Sequence, residues 1–312
     1  MYKNSQVRNT KLNAESSELI AQSSKLKAYI KDFATLIKFK LSMTVVFSAV
    51  MAYLIALKTP LDYVQLLILT LGGIFTTGAA SALNQAIEKD YDKLMNRTAD
   101  RPVAAGRMTA SNAVLIAGFM SLFGVTFLAY FNPITGILGM ISLILYAFIY
   151  TPLKRVSNIS VTVGAIPGAL PVVIGCTAAN NGSLTILALG LFGIQFFWQF
   201  AHFWAIAWLA DEDYKKAGFF LLPSKNGEKS KMVGIYCSLY TAAIFPFIGL
   251  LYFSNNMGGI AALLLTIVTL GYLYFCIQLA KNTERKTALQ LMFAALAYLP
   301  LVLGIVLFCK NF

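Results

Sequence analysis

Asn84, Glu88 and Asp92 are the residues of this chain whose types and spacing best suit chemistry. They stand at i, i+4 and i+8, so on a continuous helix all three share one face, about 6 Å apart per step. One amide oxygen and two carboxylates in such a row suit a hard divalent cation, above all Mg2+. That ion keeps waters and completes its shell from substrate phosphate. Arg97 and Arg101 follow, also i and i+4, and are spaced to grip phosphate oxygens in a fork. From Glu88 to Pro102 the chain carries four acids and four bases in fifteen residues, directly after an apolar run. A plain charged loop between membrane helices explains the charges but not the alignment of three ligand-type residues with two arginines behind them.

A second acidic cluster, Asp211, Glu212 and Asp213, with Tyr214 beside it, follows another apolar run. Upstream, Gln195, Gln199 and His202 share a helix face at i, i+4 and i+7, and Asp213 returns to that face if the helix persists. Polar groups inside a membrane span are costly, so such a stripe lines a cavity or serves as interhelical hydrogen-bond glue. Both readings stand. His202, the only histidine, is likewise open between packing and catalysis. Trp204 and Trp208 read as an interfacial belt. A third polar group, Tyr150, Lys154, Arg155 and Asn158, closes a different apolar run. Its two bases are phosphate-grip candidates that also suit a positive-inside anchor, and Asn158 is a candidate for the same pocket. Pro167 and Pro171, with Gly164 and Gly168, predict a kinked or broken helix with room for a ligand.

The elements that position these residues are membrane spans. Of 312 residues 58% are hydrophobic and 12% charged, where a soluble domain carries about 25% charged. Mean hydropathy is +0.70. Nine apolar runs cover roughly 41–57, 63–83, 111–131, 135–150, 161–179, 184–209, 233–253, 258–280 and 287–308, each near bilayer-crossing length as a helix. The short alternating segments of a β-barrel are not visible. The expected fold is therefore all-α: a polytopic membrane protein of about nine helices. Residues 1–40 form a polar tail that passes into an interfacial helix near Leu26–Lys40, and 41–312 form one membrane domain.

Of the 25 Lys and Arg residues, all but Lys58 and Lys310 fall on one side of this nine-span arrangement. The positive-inside rule makes that side, with the N-terminus, cytoplasmic. The net charge of +12 is thus a topology signal rather than a nucleic-acid surface. The polar tail has one arginine and keeps Glu15, Glu18 and Asp32, unlike a mitochondrial transit peptide, so a bacterial inner membrane is expected. The four cysteines lie in or beside apolar runs and read as core residues.

Carboxylates for Mg2+, bases for phosphate and an apolar interior together call for a lipid diphosphate. The metal and bases would neutralise the diphosphate leaving group, so that its C–O bond ionises to an allylic cation. An enclosed cavity would keep water from that cation.

Asn84-x-x-x-Glu88-x-x-x-Asp92, with Arg97-Thr98-x-x-Arg101-Pro102 behind it, resembles the first aspartate-rich motif of the UbiA superfamily of intramembrane prenyltransferases. Glu88 stands where many members carry Asp, and the longer arm still reaches a metal. The block His202-Phe203-Trp204-Ala205-Ile206-Ala207-Trp208, running into Glu212-Asp213-Tyr214-Lys215-Lys216-Ala217-Gly218 and Leu221-Leu222-Pro223, is similar to the heme-farnesylating members. Tyr150-Thr151 with Leu153-Lys154-Arg155 and Asn158 is similar to their loop between spans four and five. The resemblance implies nine helices around a central, laterally open cavity. It implies farnesyl diphosphate and heme b as substrates and Mg2+ as cofactor, with heme O passing to terminal oxidases, directly or through a heme A synthase. Asn84, Glu88, Asp92 and Asp213 would hold metal, with Glu212 and His202 in the catalytic set. Arg97, Arg101, Lys154, Arg155, Asn158, Tyr150, Gln199 and Tyr214 would bind substrate. Asp211 precedes the usual acidic pair as an extra acid. A quinone-type aromatic prenyltransferase of the same superfamily and a membrane transporter or assembly factor are the alternatives.

Overall fold

The computed structural model describes residues 22–224 and 227–310; most of the polar tail, and Lys225, lie outside them. Helix α1 covers residues 22–36. Next come α2 (Phe39–Ala56), α3 (Tyr63–Asp92), α4 (Ala110–Ala129) and α5 (Pro133–Ile144). A π-helical segment, Leu145–Tyr150, then runs into the single turn α6 (Thr151–Leu153). The chain continues through α7 (Ser160–Ala179), α8 (Ile186–Leu209), the short α9 (Asp211–Lys216), α10 (Lys231–Ala242) and α11 (Phe245–Phe253). It closes with α12 (Gly259–Lys281) and α13 (Arg285–Phe308). Among the described residues nine helical units are long and apolar enough to cross a membrane.

The bundle is layered around α7 and α8, the most enclosed spans, while α4 and α12 are the most open to the surroundings. Large apolar side chains such as Leu122 on α4 and Leu263 on α12 are exposed, as a lipid-facing surface requires. Where helices meet, small residues let backbones approach. A Cβ added to Gly175 would lie 2.1 Å from the Ala49 carbonyl oxygen, so α2 and α7 can sit this close only with glycine there.

Three expectations change. α7 is not broken by Pro167 and Pro171; both lie inside one continuous helix. Pro171 lacks the N–H that would bond to the Pro167 carbonyl, and Ser142 Oγ donates to that oxygen instead, at 3.3 Å. The interruptions fall elsewhere: in the fourth span as the π segment, and in the seventh, where α10 stops at Ala242 and α11 begins just before Pro246. Trp204 and Trp208 are not an interfacial belt. Both are buried, and Trp204 packs edge-on against Tyr240, with ring centroids 5.2 Å apart. Finally, α8 does not persist to Asp213. It ends at Leu209, and α9 starts afresh at Asp211. The cysteines meet their expectation: all four are free thiols, and Cys176, Cys237 and Cys276 are buried.

Candidate active site

α3 is 30 residues long, about 45 Å at 1.5 Å per residue, against a hydrocarbon core of about 30 Å. Its last turns therefore reach past the apolar layer, and Asn84, Glu88 and Asp92 lie on them, all three buried. A buried carboxylate needs a charge partner, and each acid has one. Arg101 Nη1 donates to both oxygens of Asp92 at 2.8 Å. Lys154 pairs with Glu88. Asn84 Nδ2 donates to Glu88 Oε2 at 2.8 Å and to Thr151 Oγ1 at 3.1 Å, and its Oδ1 accepts from Lys38 Nζ at 2.9 Å.

Three segments deliver the bases. The loop after α3 folds back so that Thr98 Oγ1 donates to the Asp92 carbonyl at 2.9 Å, which aims Arg101 inward. The π segment, which ends at Tyr150, resets the helical phase before Thr151 and Lys154, and such segments recur at functional sites. Beyond it, the Lys154 ammonium lies 4.9 Å from the Tyr150 ring centroid and 5.4 Å from that of Phe219. Arg155 stacks over Tyr91 at 4.5 Å and donates to its hydroxyl at 2.8 Å.

Lys38 is the third base. It caps α2 in the left-handed region, φ 46°, which a residue with a Cβ seldom adopts. Gln85 Nε2 holds the turn before it by donating to the Thr35 and Leu36 carbonyls, each at 2.9 Å. Burial, together with the charges of Arg101 and Lys154, lowers the Lys38 pKa to about 7 against the pull of Glu88 and Asp92. Arg107 straps the same end together by donating to Asp32 and Asp100, and those bonds raise its pKa.

Asp213 and Tyr214 of the second cluster meet Arg97, on the loop that follows the first. The Arg97 backbone N–H donates to Asp213 Oδ2 at 3.3 Å, and its guanidinium donates to the Tyr214 hydroxyl at 2.9 Å. Asp211 is buried and paired with Lys215 at 3.0 Å and Lys229 at 3.9 Å, so it pins α9 and the following loop. Glu212 and Asn158 are exposed, apart from these contacts.

The glutamine stripe joins α8 to α7. Gln195 Nε2 donates to the Gly168 carbonyl at 2.8 Å, and Gln199 Nε2 to the Ala165 carbonyl at 3.0 Å. Of the two readings, interhelical glue describes these bonds. His202, one turn on, stacks against Trp198 with centroids 5.2 Å apart. Its Nδ1 is buried without a hydrogen-bond partner. Lys38, Thr151 and Tyr91 escaped the sequence reading. Lys38 looked like any basic residue before a span, and Thr151 and Tyr91 acquire meaning only from partners far along the chain.

The donor set fits a hard cation. Asn84, Glu88 and Asp92 offer oxygens alone, and Glu88 Oε1, although paired with Lys154, accepts no aligned hydrogen bond. Among the described residues no three His, Cys, Asp or Glu side chains form a closed metal cluster. Such a set leaves part of an ion's shell to substrate oxygens.

Fold and site together define a polytopic helical membrane protein with a buried acid–base cluster at one end of its bundle. The UbiA prenyltransferase family model matches residues 45–299, and the chain belongs to that family of prenyltransferase enzymes. It is 42% identical to the protoheme IX farnesyltransferase of Flavobacterium psychrophilum over 287 residues, covering 89% of this chain and 93% of the relative. In fold it is similar to a digeranylgeranylglyceryl phosphate synthase, with TM-score 0.75, 17% identity, and 90% and 98% of the two chains covered. A UbiA homolog from Archaeoglobus fulgidus bound to GPP and Mg2+ also matches in fold, with TM-score 0.64, 10% identity, and 88% and 99% covered.

Proposed function

We propose that this protein transfers the farnesyl group of farnesyl diphosphate to a vinyl group of heme b, forming heme O. The observation that carries the reading is the buried cluster of Asn84, Glu88 and Asp92 faced by Lys38, Arg101 and Lys154, in a chain 42% identical to a named protoheme IX farnesyltransferase. A quinone-type prenyltransferase would share the cluster but not that relationship. A transporter would need no paired phosphate-gripping bases.

Asn84, Glu88 and Asp92, with Asp213 across Arg97, would hold Mg2+. When bound, the ion would neutralise diphosphate oxygens and so ease departure of the leaving group. The residues of the chain do the rest. Lys38, Arg101 and Lys154 leave their carboxylate and amide partners for the diphosphate, and Arg97 and Arg155 guard its rim beside Tyr214 and Tyr91. Tyr150, beside Lys154, borders the allylic carbon, and its ring face suits a cation. Gln199 orders this wall through α7. Glu212 and Asn158 complete the rim from outside. The farnesyl cation adds to the vinyl group, water adds to the resulting carbon, and that water loses one proton. His202 serves the heme side, its ring stacked on Trp198 and its buried Nδ1 left without a protein partner.

Residues 41–312 act as one prenyltransferase domain in a bacterial inner membrane, with the site end cytoplasmic. The product would go to a heme A synthase or to terminal oxidase assembly. Reporter fusions after Phe131 and after Lys310 should both read periplasmic. The deciding experiment incubates purified protein with heme b, farnesyl diphosphate and Mg2+ and weighs the heme. Conversion of one vinyl to a hydroxyethylfarnesyl group, a mass gain of one farnesyl plus one hydroxyl, is expected, and an unmodified heme rejects the reading. His202→Gln should weaken heme use strongly and leave farnesyl diphosphate binding nearly unchanged.

A further inference from the structure

The π segment delivers one hydroxyl to the first cluster. Thr151 is fully buried and follows directly on Tyr150, where that segment ends. A serine or threonine hydroxyl inside a helix ordinarily returns to the carbonyl four residues back, as Thr70, Ser238 and Thr266 do here. Thr151 returns five residues, to Tyr146. That carbonyl accepts both the Thr151 backbone N–H and its Oγ1, the latter at 2.9 Å. The five-residue return is the π-helical one. A regular α-helix would direct the hydroxyl to Ala147 instead.

A threonine hydroxyl carries a single proton. In Thr151 that proton is committed to Tyr146, so toward the cluster its oxygen only accepts. Asn84 Nδ2 donates to it at 3.1 Å and to Glu88 Oε2 at 2.8 Å, while Asn84 Oδ1 accepts from Lys38 Nζ at 2.9 Å. All of these neighbours favour one orientation of the amide. A flipped amide would set its NH2 against the Lys38 ammonium and its oxygen against the Glu88 carboxylate.

Lys38 and Glu88 have other work in the proposed reaction, one as a grip on diphosphate and the other as a metal ligand. Thr151 has none, and it stays anchored to the π segment by two bonds to one carbonyl. We propose that Thr151 is a positioning residue: it keeps the Asn84 amide oxygen turned toward the metal when Lys38 and Glu88 are engaged by substrate and ion. Mg2+ takes oxygen ligands, so an amide free to turn is a weaker ligand than one held. Outer-shell partners fix metal ligands in this way. The inference rests on the metal assignment made above and not on the identity of the prenyl acceptor.

The test uses full-length protein in detergent without heme, and labelled farnesyl S-thiolodiphosphate, an analogue slow to ionise. The reading is the Mg2+ concentration that gives half-maximal retention of the analogue, with thermal unfolding followed in parallel. Thr151→Val keeps the shape and loses the hydroxyl. It should raise that concentration by about tenfold, the scale for losing an outer-shell partner. Thr151→Ser keeps the hydroxyl and should stay with wild type. If valine unfolds the protein, Thr151→Ala compared with Thr151→Ser reads the same hydroxyl. An equal Mg2+ requirement in wild type and the hydroxyl-free variant would overturn the proposal. So would a loss in Thr151→Ser as large as in that variant, because packing would then explain both. Retention by wild type that needs no Mg2+ would overturn the metal assignment itself, and this inference with it.

Discussion

The two acidic clusters have similar composition and different physical settings. Asn84, Glu88 and Asp92 lie on the last turns of a 30-residue helix, buried among three bases drawn from three segments, two of them distant in the chain. Asp211, Glu212 and Asp213 lie on a six-residue helix at the rim. There Asp211 pairs with Lys215 and Lys229, Glu212 is exposed, and Asp213 lies near Lys216 and accepts from the Arg97 backbone N–H on the loop after α3. The difference teaches that a carboxylate's role follows from which cations its surroundings can bring to it. A long helix carries acids into a place other helices also reach, and a short rim helix mostly finds its own neighbours.

The largest expected effect comes from neutralising the first cluster. Glu88→Gln and Asp92→Asn keep shape and burial, and either should lower turnover by about 10^2–10^3-fold, the scale for losing one preorganised electrostatic group. The alanine variants are poorer probes. Removing one partner of a buried pair costs about 3–5 kcal/mol, so lost folding would mask lost chemistry. Near-normal turnover of Asp92→Asn would sink the metal assignment.

Arg97→Ala removes the guanidinium that bonds the Tyr214 hydroxyl at the rim, and Lys154→Gln removes a base from the first cluster while keeping most of its side-chain volume. Both should raise the farnesyl diphosphate concentration needed for half-maximal rate, by about tenfold for a lost charge-assisted bond of about 1.5 kcal/mol. Steady-state rates with either substrate varied should show less change for heme.

A smaller effect should appear as a pH slope. Lys38 has a pKa of about 7 in the free site, and a bound anion favours its charged form. Binding then takes up a proton, which rising pH opposes. Affinity for inorganic diphosphate, measured without metal, should fall by up to about tenfold per pH unit above 7. Lys38→Arg should flatten that slope by calorimetry; an unchanged slope would remove Lys38 from the diphosphate side.

The smallest effects test the rim. Asp211→Asn should destabilise by about 1 kcal/mol, because its lysines are partly exposed, and so lower the unfolding temperature with little change in turnover. Glu212→Ala should shift stability by less than about 0.5 kcal/mol. Its activity relative to Asp213→Asn reports how much the outward acid contributes.

Sequence alone determined the all-helical membrane fold, the nine spans and the residues of the first cluster. These rest on one-dimensional properties: span length against bilayer thickness, and four-residue spacing within a single helix. Tertiary structure decided the pairings. Lys38 reaches Asn84 across 46 residues, and Asn84 reaches Thr151 across 67; local periodicity carries no record of such contacts. It also decided that the prolines of α7 leave the helix whole, because a neighbouring serine serves a freed carbonyl. It decided that Trp204 and Trp208 are core, because other elements cover the last turns of α8, with Tyr236 and Tyr240 of α10 packed on Trp204. Hydropathy registers that a span is apolar but not which neighbour covers it.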